Sequence, residues 1–190
     1  MDSLKIMIVG VGGQGTLLAS KLLGKMLLNK GYDVKVSEVH GMSQRGGSVV
    51  TYICCGDKAY SPVIDEGEAD YIVSFEALEA ARWVSYLKKD GILVTNTQEI
   101  NPMPVITGAA AYPEEIIEKI KAMGVRIDAF DALSPAVKAG SVKAVNIVLM
   151  GRLSKYFDFT KEEWLSAIRE SVPERFIRLN EEAFLLGEQD

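Results

Sequence analysis

Two short stretches hold most of the side chains and backbone groups suited to binding. The first is "GVGGQG", Gly10 to Gly15, which matches the G-x-G-x-x-G spacing. In such a turn Gly10 permits a sharp bend, Gly12 lets another group approach the backbone, and Gly15 brings a following helix close to its strand. Gly13 and Gln14 complete the turn, and the amides at the start of the next helix favour an anion. The second is "EVHGMSQRGGSVV", which carries the only histidine, His40, then Ser43, Gln44 and Arg45, then Gly46 and Gly47. A guanidinium there can bind phosphate or carboxylate through two parallel hydrogen bonds, and Ser43 and Gln44 can donate to the same anion or to partner backbone. His40 either joins them or only orients the loop.

Three more polar residues stand where strands should end or helices should be buried. Glu76 follows a strand in "SFEALEA" and reads as a helix-start acid favoured by the helix dipole. Asn96 ends another strand and can form an Asx turn. Asn146 interrupts an apolar helix, so its amide needs a buried partner, expected on the backbone near the glycine turn.

The elements that must position these residues follow from periodicity. "LKIMIVG" is a continuous apolar run of the kind found in strands buried on both faces, and "TLLASKLLGKMLLNKG" has helical spacing closed by Gly31. "YDVKVSEV", "SVVTYICC", "ADYIVSF", "GILVTNT" and "VRIDAFDA" read as further strands. "EALEAARWVSYLKK" and "YPEEIIEKIKAMG" read as helices. From about Val142 the pattern is helical: "VKAVNIVLMGRL" is nearly all apolar, "TKEEWLSAIRESV" has capping-box spacing, and "PERFIRLNEEAFLLG" is amphipathic. Strands alternating with helices imply an α/β, Rossmann-like, mostly parallel sheet with helices on both faces and a helical C-terminal part. In such sheets ligands meet the loops at the carboxyl ends of the strands, which is where both stretches fall. The length of 190 residues suits one domain spanning 1–190.

Composition narrows the function. Charged residues make up 25% and the net charge is −5, which gives no electrostatic basis for nucleic-acid binding. No apolar run reaches the roughly 20 residues that span a bilayer, and the N-terminus lacks signal-peptide character, so a cytoplasmic protein without membrane contact is expected. The two cysteines, Cys54 and Cys55, are adjacent in a strand and should point to opposite faces. With one histidine beside them they cannot supply the usual ligand set of an iron–sulfur cluster, so metal-centred redox chemistry is expected on another chain.

Glu38 ends the second strand 23 residues after Gly15, near the spacing of about 20 at which dinucleotide-binding proteins place a ribose-binding acid. A self-contained NAD(P)-binding oxidoreductase is therefore one reading. It gives no reason for "HGMSQRGG".

Taken together, "GVGGQGTLLASKLL", "SEVHGMSQRGGSVVTYI", "ADYIVSFEALEAAR" and "AVNIVLMG" resemble the small (beta) subunit of indolepyruvate ferredoxin oxidoreductase, related to the gamma domain of pyruvate and other 2-oxoacid ferredoxin oxidoreductases. The resemblance runs from about Ile6 to the final helices. It implies a gamma-type domain in a thiamine-diphosphate enzyme that oxidatively decarboxylates an aryl 2-oxoacid to an acyl-CoA and carbon dioxide, reducing ferredoxin. It implies that a large (alpha) subunit carries the thiamine diphosphate and iron–sulfur clusters, and that this chain alone binds neither. The expected cofactor-facing residues are Gly10, Gly12, Gly13, Gln14, Gly15, Ser43, Gln44, Arg45, Gly46 and Gly47, with CoA a shared ligand. His40, Glu76, Asn96 and Asn146 are expected in interface or support roles, and no residue is assigned to catalysis. The isolated chain is expected to be inactive and able to form a homodimer.

Overall fold

The computed structural model describes residues 3–41 and 46–189. Its sheet has six strands in the order β2-β3-β1-β4-β5-β6. These are β1 (Leu4–Val11), β2 (Asp33–His40), β3 (Ser48–Gly56), β4 (Ala69–Ser74), β5 (Leu87–Asn96) and β6 (Arg126–Phe130). β1, β4, β5 and β6 run parallel, while β3 lies antiparallel between β1 and β2. The sheet is mostly parallel, as the alternation of elements predicts.

The continuous apolar run of β1 is explained by its place inside the sheet. Ile6 and Ile8 point into one core and Met7 and Val9 into the other, all fully buried. The first core is covered by α1 (Thr16–Asn29), α5 (Leu133–Lys138), α6 (Val145–Ser154), α7 (Lys161–Ser171) and α8 (Ile177–Gln189). The second is covered by α2 (Ala77–Trp83) and α4 (Ile116–Ala122), and a short α3 (Met103–Ile106) stands in the loop between β5 and α4. All the C-terminal helices thus pack on the α1 side. Cys54 and Cys55 split between the two cores, as strand alternation requires, and both are buried free thiols.

Two boundaries differ from expectation. The helix expected through Lys89 ends at Trp83; a 3-10 turn, Val84–Tyr86, follows, and β5 already begins at Leu87. The β-branched and aromatic residues Trp83, Val84 and Tyr86 favour leaving the helix, and their side chains pack on the second core. The capping box does form at α7: Glu163 N–H donates to Thr160 Oγ1 at 3.4 Å, and Thr160 N–H donates to Glu163 Oε2 at 2.8 Å. No described helix is long and apolar enough to cross a membrane.

Candidate functional site at the carboxyl rim

β3 gives this rim its shape. Because it runs against β1 and β2, it starts at the end of the sheet where those strands finish, with Ser48 paired to Val11 and Val49 to His40. The connection from His40 to Ser48 is therefore a hairpin bend beside the glycine turn. The β1–β3 ladder extends into both bends: Gly12 N–H donates to Gly47 O at 2.8 Å, and Gly46 N–H donates to Gly12 O at 3.3 Å. Gly46 takes a positive φ of 77°, a conformation that glycine adopts at little steric cost. Ser43, Gln44 and Arg45 lie outside the described residues.

Within the glycine turn the six positions divide into packed and open ones. A Cβ at Gly10 would meet Gln14 Oε1 and Phe75 Cβ, each at 3.0 Å. At Gly15, with φ 85°, it would stand 2.7 Å from Asn146 Nδ2. At Gly13, with φ 103°, it would meet nothing within 4 Å. Gly13 is thus the place where an outside group can approach the backbone. The Gln14 side chain is turned inward: its Oε1 accepts from Val11 N–H at 2.7 Å, and its Nε2 donates to Phe75 O at 3.0 Å and to Gln98 Oε1 at 3.3 Å. It ties the ends of β1 and β4 to the loop after β5.

The supporting residues form a chain of hydrogen bonds behind this turn. Asn146 Nδ2 donates to Gly15 O at 3.2 Å, so the start of α6 holds the start of α1. Asn96, fully buried, donates to Phe75 O at 3.3 Å and accepts from Ala132 N–H at 3.1 Å, which joins β4, β5 and the segment after β6 instead of forming an Asx turn. Glu76 is 1% exposed and caps α2: Oε2 accepts from Glu79 N–H at 2.8 Å. Its Oε1 accepts from Ile100 N–H at 3.0 Å and from the Tyr112 hydroxyl at 2.5 Å. Burial, together with the Glu76 carboxylate, holds the Tyr112 phenol protonated far above its ordinary range. His40 is exposed, and among the described residues its ring Nδ1 reaches Gly41 O at 3.2 Å.

Two clefts open on either side of the glycine turn. One, of about 380 Å³, is lined by Gly12, Gly13, Thr16, Glu38, His40 and Val49. The other, of about 580 Å³, is lined by Gly13, Gln98, Ile100, Leu133, Lys143 and Asn146, among others. Met103, Ile106, Leu133, Val137 and Val142 are exposed in the segments that follow β5 and β6 at this rim, Val142 to 61%.

Sequence reasoning missed Gln98, Tyr112, Lys143 and Glu79. Glu79 had a legible signal, since its i+3 spacing from Glu76 puts both acids on one side of α2. It is buried, accepts from Ser48 Oγ at 2.5 Å, and lies 3.6 Å from the Arg82 guanidinium. Burial raises its pKa, and the Ser48 and Arg82 interactions only partly offset the shift. A folded-state pKa above the unfolded one gives a contribution fully present below the ordinary value of 4.5 and lost as pH rises through the raised value. Glu79→Gln should therefore melt above the unaltered chain at neutral pH, with the gap closing as pH falls toward 4.5. Thermal denaturation across a pH series reads this directly; a gap independent of pH would contradict it.

The two cysteines do not fit an iron–sulfur cluster. Their thiols face opposite cores, and burial pushes the Cys55 thiol up to about 11, so they cannot converge as thiolates on one cluster. Among the described residues no group of three or more His, Cys, Asp or Glu side chains is arranged to hold a metal ion. A dinucleotide site is also poorly served. With β3 inserted, Glu38 lies two strand spacings from β1, about 10 Å, where a ribose-binding acid on an adjacent strand would be about 5 Å away.

Comparison with known proteins agrees with this geometry. The chain is 45% identical over 194 aligned residues to the indolepyruvate oxidoreductase subunit IorB of Thermococcus kodakarensis, covering 98% of this chain and 95% of that protein. It superposes on the pyruvate oxidoreductase subunit PORC of Thermotoga maritima with a TM-score of 0.77 at 22% identity, over 100% of this chain and 97% of that one. It also superposes on the 2-oxoglutarate:ferredoxin oxidoreductase of Magnetococcus marinus, solved with 2-oxoglutarate, coenzyme A and succinyl-CoA bound. There the TM-score is 0.73 at 17% identity, over 100% of this chain and 31% of that chain. The family model for pyruvate ferredoxin/flavodoxin oxidoreductase matches residues 5–189, nearly the full length, and the chain belongs to that family.

Proposed function

We propose that this chain is the small subunit of an indolepyruvate ferredoxin oxidoreductase, and that its carboxyl rim is the surface it presents to the large subunit and to CoA. The observation that carries the reading is the pair of hydrogen bonds between Gly12 and the Gly46–Gly47 return, which opens the glycine turn and the bend after His40 side by side. The 45% identity to an indolepyruvate oxidoreductase subunit over almost the whole of both chains supports the choice of substrate class. Thiamine diphosphate and iron–sulfur clusters held by the large subunit would supply, respectively, the chemistry of oxoacid decarboxylation and a path for electrons to ferredoxin.

This chain's own contribution is binding and exclusion of water. The open backbone at Gly13, the amides at the start of α1, and the exposed Lys143 ammonium beside the larger cleft suit the phosphates of CoA. Arg45 adds a guanidinium from the bend between His40 and Gly46, with Ser43 and Gln44 as further donors. Gly10, Gly15, Glu76, Asn96 and Asn146 hold the shape, and Gln14 locks the turn from inside. The exposed apolar residues of the same rim, Met103, Ile106 and Val142, supply area for a subunit contact.

Reconstitution tests this. The isolated chain should contain no iron and no thiamine diphosphate, and should be inactive. Mixing it with the large subunit should restore indolepyruvate turnover that depends on CoA and ferredoxin. Ile106→Glu should weaken assembly about tenfold or more, since a charge is forced into an apolar contact, and Arg45→Ala should raise the apparent KM for CoA about tenfold at near-normal assembly. Stoichiometric iron in the isolated chain, or full turnover by the large subunit without it, would overturn the reading.

A further inference from the structure

The carboxyl rim leaves one conspicuous surface without a role. Between α1 and β2 runs a groove of about 460 Å³, lined mainly by apolar groups of Leu17, Gly24, Leu28, Val34 and Val36, with the Lys21 stem among them. β2 is the outermost strand on this side, eight residues long, and its outer row of backbone groups has no strand partner among the described residues. The opposite edge differs: β6 is five residues long, and every residue of it after Arg126 is at least half-buried. On β2, Val36 is 48% exposed. A long, apolar, uncovered edge strand is a template for another strand.

Charge indicates what that strand is. Lys21 is exposed in the groove and has no acidic partner among the described residues, whereas Lys25 on the next turn is engaged by Glu170 at 3.0 Å. Glu38, at the far end of the same face of β2, is exposed, and its one hydrogen bond among the described residues is a long contact of 3.3 Å from Thr51 Oγ1. An unpaired cation and a nearly unpaired anion on one face of one strand-and-helix edge can satisfy each other across a two-fold axis. Lys35, the charge that would ordinarily deter edge pairing, is already neutralised by Asp33 at 2.7 Å.

We propose that a second copy of this chain covers the groove, its β2 antiparallel to β2 about a two-fold axis through Val36. A two-fold perpendicular to a continuous sheet keeps each face on the same side, so paired positions share parity along the strand. In this register Val36 meets Val36 on the axis, and Val34 meets the partner's Glu38, whose carboxylate then faces the groove that Lys21 and Val34 line together. Registers centred on Lys35 or Glu38 would set like charges face to face. The dimer points the two carboxyl rims to opposite ends, and the larger cleft of each, lined by Gln98, Leu133 and Lys143, remains free for the large subunit.

Sedimentation and light scattering on the full chain test this between about 1 and 100 μM, the range in which a pairing of this kind would dissociate. The expected result is a dimer that dissociates on dilution. Val36→Glu should give a monomer throughout, with unchanged circular dichroism and, at dilutions where both chains are monomeric, an unchanged melting temperature. Lys21→Glu should weaken the dimer about tenfold, from two symmetric pairs, and adding Glu38→Lys should restore it. A monomer at the highest concentration, or a dimer that survives Val36→Glu, overturns the proposal. Failure of the charge swap to restore pairing overturns the register. If the chain is monomeric alone and Val36→Glu instead abolishes capture by the large subunit, the occupant is that subunit and the second copy is excluded.

Discussion

Gly151→Ala should destabilise the chain by about 3 kcal/mol or more, lowering its melting temperature by roughly 6–12 °C. The side of α6 that faces α8 is responsible. A Cβ at Gly151 would stand 2.1 Å from Phe184 O, and one at Gly187 would stand 2.1 Å from Val148 O, so each glycine makes room for the other helix's backbone. Backbone cannot rotate away as a flexible side chain can, so the helices must separate and open the packing around Phe184 and Trp164. Intrinsic propensity predicts the opposite sign, since alanine in a helix is favoured over glycine by up to about 1 kcal/mol. Gly24→Ala on α1 provides the control. Its Cβ would meet only Val36 Cγ2, at 3.9 Å, so there propensity should win and the melting temperature should rise slightly. Equal effects at Gly24 and Gly151 would contradict the packing argument.

Glu76→Ala should cost about 3 kcal/mol and loosen the rim as well. The change removes the α2 cap, worth about 1 kcal/mol, and strands the Ile100 N–H and the Tyr112 hydroxyl, each without its acceptor. Those two groups fix the start and end of the segment that carries Met103 and Ile106. If that segment meets the large subunit, affinity should fall by more than tenfold at temperatures where the chain is still folded. Glu76→Gln keeps an acceptor oxygen and should lie between. Hydrogen exchange would locate the effect: faster exchange from Gln98 to Tyr112 is expected, and uniform acceleration across the chain would argue for simple loss of global stability.

The legible parts of this fold were those set by local periodicity. β1 announces itself because a strand buried on both faces has no polar residue to spare, and α7 because Thr160 and Glu163 sit at capping-box spacing. Cys54 and Cys55 divide between the cores because strand alternation leaves no choice. The direction of β3 was not legible. "SVVTYICC" has the same composition whether it runs with or against β1, and only the short connection from His40 hints at a hairpin. That single reversal decides the site, since it brings Gly46 and Gly47 against Gly12 and moves Glu38 one strand farther from the glycine turn. It also takes Glu38 off the strand adjacent to β1, so the dinucleotide reading loses its usual strand geometry although Glu38 still lines the smaller cleft with Gly12 and Gly13.

At the site, the glycine positions could be found from spacing, but their division of labour could not. Gln14 bonds Gln98 across 84 residues, and Gly15 lies under Asn146 across 131, contacts for which neither side chain carries a local pattern. Glu76 reads in sequence as a simple helix-start acid. Its burial under Ile100 and Tyr112 depends on a loop that has no periodicity to read. The short α3 and α5 escaped notice for the same reason, being too brief to establish a helical period.

The proposed contact between the carboxyl rim and the large subunit can be read by hydrogen exchange of this chain, alone and then in complex with that subunit. Protection should concentrate in Gly10–Gly15, between His40 and Gly47 along the sequence, and in the segments around Gln98–Ile106 and Leu133–Asn146. Protection confined to α7 and α8, or to the opposite end of the sheet around Asp57–Asp65, with the glycine turn unchanged, would contradict it.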